Sequence, residues 1–196
     1  MGLPCGYSLE KGVPANSLLG WQSLNPSEHI SALILPFGVA VVLPSLLLII
    51  YPVPLAFFGQ SLVNLIRVIV GALVIAVGIL LLAECIHLFD KIGKGTLAPW
   101  SPTKHMVLVG PYRYMRNPMI LGVLLILLGE SVCFYSLSIL IWFAVCFLIN
   151  HIYFVKSEEP GLVKRFGNEF ERYKENVPRW IPRRRPWIPL DENVSL

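Results

Sequence analysis

Charge is what this 196-residue sequence has least of. Asp, Glu, Lys and Arg make up 14%, against 55% hydrophobic residues and a mean hydropathy of +0.66. Soluble domains carry about 25% charged residues, so a water-soluble globule and a disordered chain are both excluded. Cysteine is scarce too. Cys5, Cys85, Cys133 and Cys146 form no CxxC pair, and the last three sit in or beside apolar runs. A thiol there behaves as a small hydrophobe, so neither a disulfide framework nor a zinc or other metal site is expected. The first 29 residues hold no apolar stretch, so no cleavable signal peptide is expected. Gly6 stands where a myristoylation motif needs Ser or Thr, and Asp191–Leu196 matches no prenylation box. What remains is an integral membrane protein.

The net charge of +4 hides an uneven layout. Lys91, Lys94, Lys104, Arg113 and Arg116 lie in one central stretch, and nine more cations run from Lys156 to Arg185. Only Lys11 and Arg67 lie elsewhere. A nucleic-acid binder would spread such charge along a soluble face. Here each basic segment follows an apolar run, the positive-inside pattern, and both are expected on the cytoplasmic side.

A membrane-spanning helix needs about 20 apolar residues. Ile30–Tyr51 qualifies, with Pro36 and Pro44 expected to kink it. Leu62–Ala83 is a second span, with Arg67 near its outer end and free to snorkel. Pro118–Val155 is apolar except for Glu130. At about 1.5 Å per residue it is far too long for one crossing and must fold back as a hairpin. Gly129-Glu130-Ser131 to Ser136 is the best turn region, which makes Glu130 a solvated turn residue. The expected fold is an all-α, multi-pass membrane protein of about four transmembrane helices. Its first hairpin arm is short enough to imply tilt or incomplete crossing. The divisions are a polar segment 1–29, two spans over 30–89, a core over 90–182 and a basic tail over 183–196.

Two polar segments flank the hairpin. Asp90–Pro118 has too many Gly and Pro for a helix and reads as a structured loop. From Glu158 onward, Leu162, Val163, Phe166, Phe170 and Tyr173 recur at helical spacing among charges. That pattern predicts one amphipathic helix, begun by Pro160, lying on the membrane face. Pro178 ends it, and Arg183–Arg185 suit anionic headgroups. Closing the hairpin brings Gly110–Pro118 to Val155–Glu159, so Tyr112, Arg113, Tyr114, Arg116 and Asn117 meet Glu158 and Glu159 at one membrane-water boundary. The plain structural alternative has the arginines on lipid phosphates and the glutamates favouring a helix N-terminus.

These residues carry a resemblance. "GPYRYMRNPM" (Gly110–Met119), then an apolar hairpin, then "EEPGLVKRFGNEFERYKENVPRWIP" (Glu158–Pro182) resembles the isoprenylcysteine carboxyl methyltransferase and phospholipid methyltransferase superfamily. Those are membrane enzymes that use S-adenosylmethionine. "GKGTLAPWSP" (Gly93–Pro102) resembles a prokaryote-type branch of the group. The resemblance implies that Arg116, Glu158 and Glu159 are catalytic. It implies that Gly110, Pro111, Tyr112, Arg113, Asn117, Pro118 and Tyr173 form the cofactor pocket. Phe166, Gly167, Phe170, Tyr173, Pro178 and Arg179 would form its cytosolic cover. Asn117 stands where many members have His, which excludes an imidazole base there, and Ile120 where many have Tyr.

The implied function is methyl transfer from S-adenosylmethionine to a lipophilic acceptor, a prenylcysteine-type carboxylate or a lipid amine. The site would face the cytoplasm, with no nucleic acid and no obligatory protein partner. Aligning donor with acceptor and excluding water supply much of such catalysis. A carboxylate acceptor needs no base, whereas an amine needs one, a task for Glu158 or Glu159. The alternatives are an NADPH-dependent membrane reductase of sterol-reductase type and a non-enzymatic lipid-binding protein. Glu84 and His87, and Asn150 and His151, are secondary candidates as polar groups at span ends, with hydrogen bonding between helices the expected role. Trp21, Trp100, Trp180 and Trp187 read as interfacial anchors, and Trp142 as facing lipid or a neighbouring helix.

Overall fold

The computed structural model describes residues 36–53, 62–89, 106 and 108–188. The polar segment 1–29, the Gly93–Pro102 motif, Cys5, Trp21 and Trp100 lie outside the described residues. Among the described residues there is helix and no strand. A π-turn, Gly38–Val42, leads into α1, Leu43–Ile50. The long α2 covers Leu62–Leu88. A short 3-10 turn, Gly110–Arg113, precedes α3, Pro118–Phe134, and α4, Leu137–Tyr153. A second π-turn, Phe154–Glu158, joins α4 to α5, Glu159–Phe166, and α6 is Asn168–Asn176.

Among the described residues, two helices are long and apolar enough to cross a membrane. They are Leu62–Leu88, with mean hydropathy 2.9, and the continuous Leu137–Phe166, with 2.1. Gly38–Ile50 and Pro118–Phe134 are shorter. The 17 residues of α3 rise roughly 25 Å, less than the roughly 30 Å of a bilayer core.

The centre of the fold is the antiparallel pair α2 and α3. Gly71 faces Gly129 and Gly78 faces Gly122, so each helix presents two glycines seven residues apart to the other. A Cβ on Gly78 would sit 2.7 Å from the Gly122 carbonyl oxygen, and one on Gly129 would sit 2.7 Å from that of Gly71. Small residues let helix backbones approach this closely where lipid offers no hydrophobic drive.

Both π-turns end two residues before a proline. Leu43 N–H donates to Gly38 O and Glu159 N–H to Phe154 O, five residues back, and Pro44 and Pro160 follow with no N–H to give. The carbonyl this leaves open at Val39 accepts from Trp142 Nε1 at 3.2 Å, while Ser45 Oγ donates to Val41 O at 2.7 Å. Trp142 therefore faces the neighbouring helix. Pro160 sits in the first turn of α5 as its position predicts, and the π-turn joins that helix to α4 without a break.

Further expectations are corrected. The hairpin turn occupies only the far end of the expected 129–136 region, because α3 runs on to Phe134 with Gly129 held against α2. The reversal falls on Tyr135, at φ 49°, and Ser136, whose Oγ accepts from Ile139 N–H. Glu130 is therefore a half-buried helical residue, with Oε2 buried and unpartnered. The amphipathic segment is two helices, not one, broken at Gly167, whose φ of 54° suits glycine. Its apolar face packs on the chain itself. Phe170, Tyr173 and Val177 are buried against Met106, Leu108, Leu162 and Phe166. Arg67, rather than snorkelling alone, lies over the Tyr135 ring at 5.4 Å from its centroid.

Gly78→Ala and Gly122→Ala each push a methyl group into the facing backbone. Each is expected to cost roughly 1–3 kcal/mol or more. Gly161→Ala, with nothing within 4 Å of its Cβ, should be neutral or gain up to about 1 kcal/mol. Reversible unfolding in mixed micelles measures all three.

Candidate functional site

At the end of α2 opposite the hairpin turn, three chain segments converge. The first is the 3-10 turn and the residues after it. Tyr112 is buried with Cys85, which has no exposure at all, beside Phe89, Leu88 and Val109. Its ring lies 5.6 Å from that of Phe89. The phenol is engaged with the Cys85 thiol, and burial first, then that neighbouring Cys85, holds it well above the usual tyrosine range. Gly110 lies against α2, where a Cβ would approach Leu88 Cδ1 at 2.8 Å and a Glu84 carboxylate oxygen at 3.9 Å. The Pro111 carbonyl accepts from Tyr114 and Met115 N–H, and Arg113 Nε donates to Leu108 O at 3.0 Å.

The second segment enters through α5. Glu159, its first residue, is buried. Its side chain makes no helix cap; instead it gathers cations. Arg116 Nη1 lies 2.6 Å from Oε1, Arg179 Nη2 lies 2.7 Å from the same oxygen, and Lys174 Nζ lies 3.4 Å from Oε2. Arg179 Nε adds a second hydrogen bond at 2.8 Å. Burial lowers the Arg116 pKa from its ordinary value, with the Glu159 charge opposing that shift. Glu158 is half-buried and stands apart from this cluster, within hydrogen-bonding reach of the Tyr153 phenol.

The third segment is a C-terminal strap, residues 177–187. Arg116 N–H donates to Pro178 O at 2.9 Å, Arg183 N–H to Tyr114 O at 3.0 Å and Trp187 N–H to Arg113 O at 2.9 Å. Tyr173 Oη, from α6, donates to Tyr112 O at 2.7 Å. Burial pushes the Tyr173 phenol well up, and the Arg116 charge offsets part of that. Trp180 is not simply an interfacial anchor. Its Nε1 donates to His151 Nδ1 at 3.1 Å, and its ring packs 5.2 Å from that of Phe147. Asn150 Nδ2 donates to Cys146 O on its own helix.

Two donors in the cluster have no acceptor among the described residues. They are Arg116 Nε and Asn117 Nδ2, both buried. Asn117 precedes α3 yet forms no side-chain cap, and Pro118 takes the first helical turn behind it. Buried polar groups are ordinarily satisfied. Three cations against one carboxylate, with two spare donors beside them, make a place for an anion. Arg179 is thus part of the ion cluster, and Lys174 joins it although nothing in its sequence context distinguishes it from the other lysines of the segment.

A family model described as phospholipid methyltransferase matches residues 66–169, which include α2 from its fifth residue on, and all of α3, α4 and α5. No curated protein matches the chain.

Glu159→Ala should strand Arg116 and Arg179 in a buried site. The expected loss is about 3–5 kcal/mol of stability, read by unfolding in micelles. Alkaline pH supplies a second test. Tyr112 and Tyr173 hold their protons above the ordinary value of 10.0 while the unfolded chain releases them there. The stability they contribute is full below about pH 10 and falls as pH rises beyond it. Tyr173→Phe should flatten that fall, and an unfolding series across alkaline pH checks it.

Proposed function

The chain belongs to the phospholipid methyltransferase family, and from that premise we propose that it transfers a methyl group from S-adenosylmethionine to a lipophilic acceptor at the membrane boundary. α1 and α3 complete a four-segment bundle, and the site opens to the cytoplasm. The observation that carries the reading is the anion-seeking cluster of Arg116, Asn117 and Glu159 at the mouth of the hairpin. The residues present fit the cofactor, because its carboxylate is the acceptor that Arg116 Nε and Asn117 Nδ2 lack. When bound, S-adenosylmethionine supplies a methyl group on a positively charged sulfur.

The chain's residues divide the remaining work. Arg116 and Asn117 grip the carboxylate end. Glu159 holds Arg116 in place from behind, and Arg179 shares that carboxylate so that the strap closes over the pocket. Gly110, Pro111 and Arg113 shape the wall through their backbone, braced by Tyr112 and by Tyr173. The strap and α6 exclude water, which strengthens every charge interaction inside. A carboxylate acceptor needs no proton removed. An amine acceptor needs a base, and Glu158, outside the cation cluster, is the carboxylate free for it.

A tritiated-methyl assay on membranes holding the purified protein tests this. Labelled lipid is expected from the wild type. Arg116→Ala should lose about 1.5–3 kcal/mol of binding, or about ten- to a hundredfold, in S-adenosylhomocysteine affinity measured by titration calorimetry. Tight NADPH binding without S-adenosylhomocysteine binding would favour the reductase instead. Undiminished label transfer by Arg116→Ala would reject the site.

A further inference from the structure

We propose that the end of the strap, residues 181–187, is an anchor for anionic phospholipid headgroups, and that this anchoring holds the strap closed over the cation cluster. The depth of the strap is set by Trp180. Its indole packs on Phe147 and Phe154 and donates to His151, all on the helix that runs through Leu137–Phe166. At that level the same helix exposes Leu148 and Ile152, at 56% and 52%. Lipid is what such a surface meets. The next residue of the strap, Ile181, is 79% exposed, so it continues that apolar belt at its edge.

The charges follow at once. Arg183 is turned inward, with its N–H on Tyr114 O and its Nη1 on Asn176 O at 2.8 Å. Arg184 and Arg185 are exposed. An exposed isoleucine at the apolar edge, with two exposed arginines three and four residues later, matches the layering of acyl chain and headgroup. A free anion in water would account for the arginines and not for Ile181, which is why the partner is a leaflet. The coupling to the site is covalent and short. The same strap carries Arg179 to Glu159 and receives or gives the three backbone bonds that tie it to Arg113, Tyr114 and Arg116.

Hydrogen exchange in lipid nanodiscs tests this without any methyl transfer, so its failure would leave the proposed activity standing. The full-length protein is placed in discs of phosphatidylcholine alone or of phosphatidylcholine with phosphatidylglycerol. In the anionic discs the amides of Arg116, Arg183 and Trp187 should exchange more slowly, on the order of tenfold for two surface cations. The double variant Arg184→Gln/Arg185→Gln should lose that difference, and Ile181→Ser should reduce it. Equal exchange of the wild type in both discs would overturn the proposal, and this comparison stands even where a variant fails to fold. So would full slowing in the double variant, or the same slowing produced by inorganic phosphate in neutral discs.

Discussion

The Glu159 carboxylate is the constraint on which the site depends. One buried oxygen accepts from Arg116, which precedes the hairpin, and from Arg179, which lies beyond α6. Removing a charge from water is costly, and only opposite charge at close range offsets it. Three segments far apart in the chain are therefore held to one point. The surplus of positive charge that results is itself chemically useful, since it leaves the cluster short of an anion.

That point is fixed in turn by the glycine contacts of α2 and α3. Their register puts Gly71 on Gly129 and Gly78 on Gly122. One heptad further toward the site, it brings Cys85 beside Tyr112, from which Met115 and Arg116 are a few residues away. A helix pair that cannot separate or slide gives the loop between them a rigid base. Tyr173 then ties the loop to α6 through the carbonyl of Tyr112. The line from helix packing to ion cluster is short, and it uses backbone contacts at nearly every step.

Much of this was legible in the residues. The scarcity of charge announced the membrane, and the unbroken run Pro118–Val155 required a reversal that brings Arg116 to Glu159. The errors have physical causes. Gly129-Glu130-Ser131 has turn chemistry, but Gly129 is there for closeness to α2, and periodicity in one helix does not say which face its partner takes. Gly167 divides a segment whose apolar spacing reads as continuous. Trp180 has the composition of a surface anchor and the surroundings of a core residue, because His151 supplies the acceptor its indole needs. The sevenfold spacing of the glycines was present in the sequence, yet it acquires meaning only when both helices are seen together.

The π-turn at Phe154–Glu158 has a consequence for how such a chain tolerates insertions and deletions. A π-turn is an α-helix holding one additional residue, and each residue turns a helix by about 100°. Loss of a single residue between 154 and 158 would let the backbone regain ordinary α geometry and would leave the apolar character of the span unchanged. Elsewhere in the span such a loss would swing Glu159 by that angle, but here the widened turn already absorbs the additional residue, so Glu159 would keep its direction toward the guanidinium it serves. This short stretch can therefore lose one residue where the rest of the span cannot: the widened turn is the place at which a change of length leaves the two halves of the site in phase.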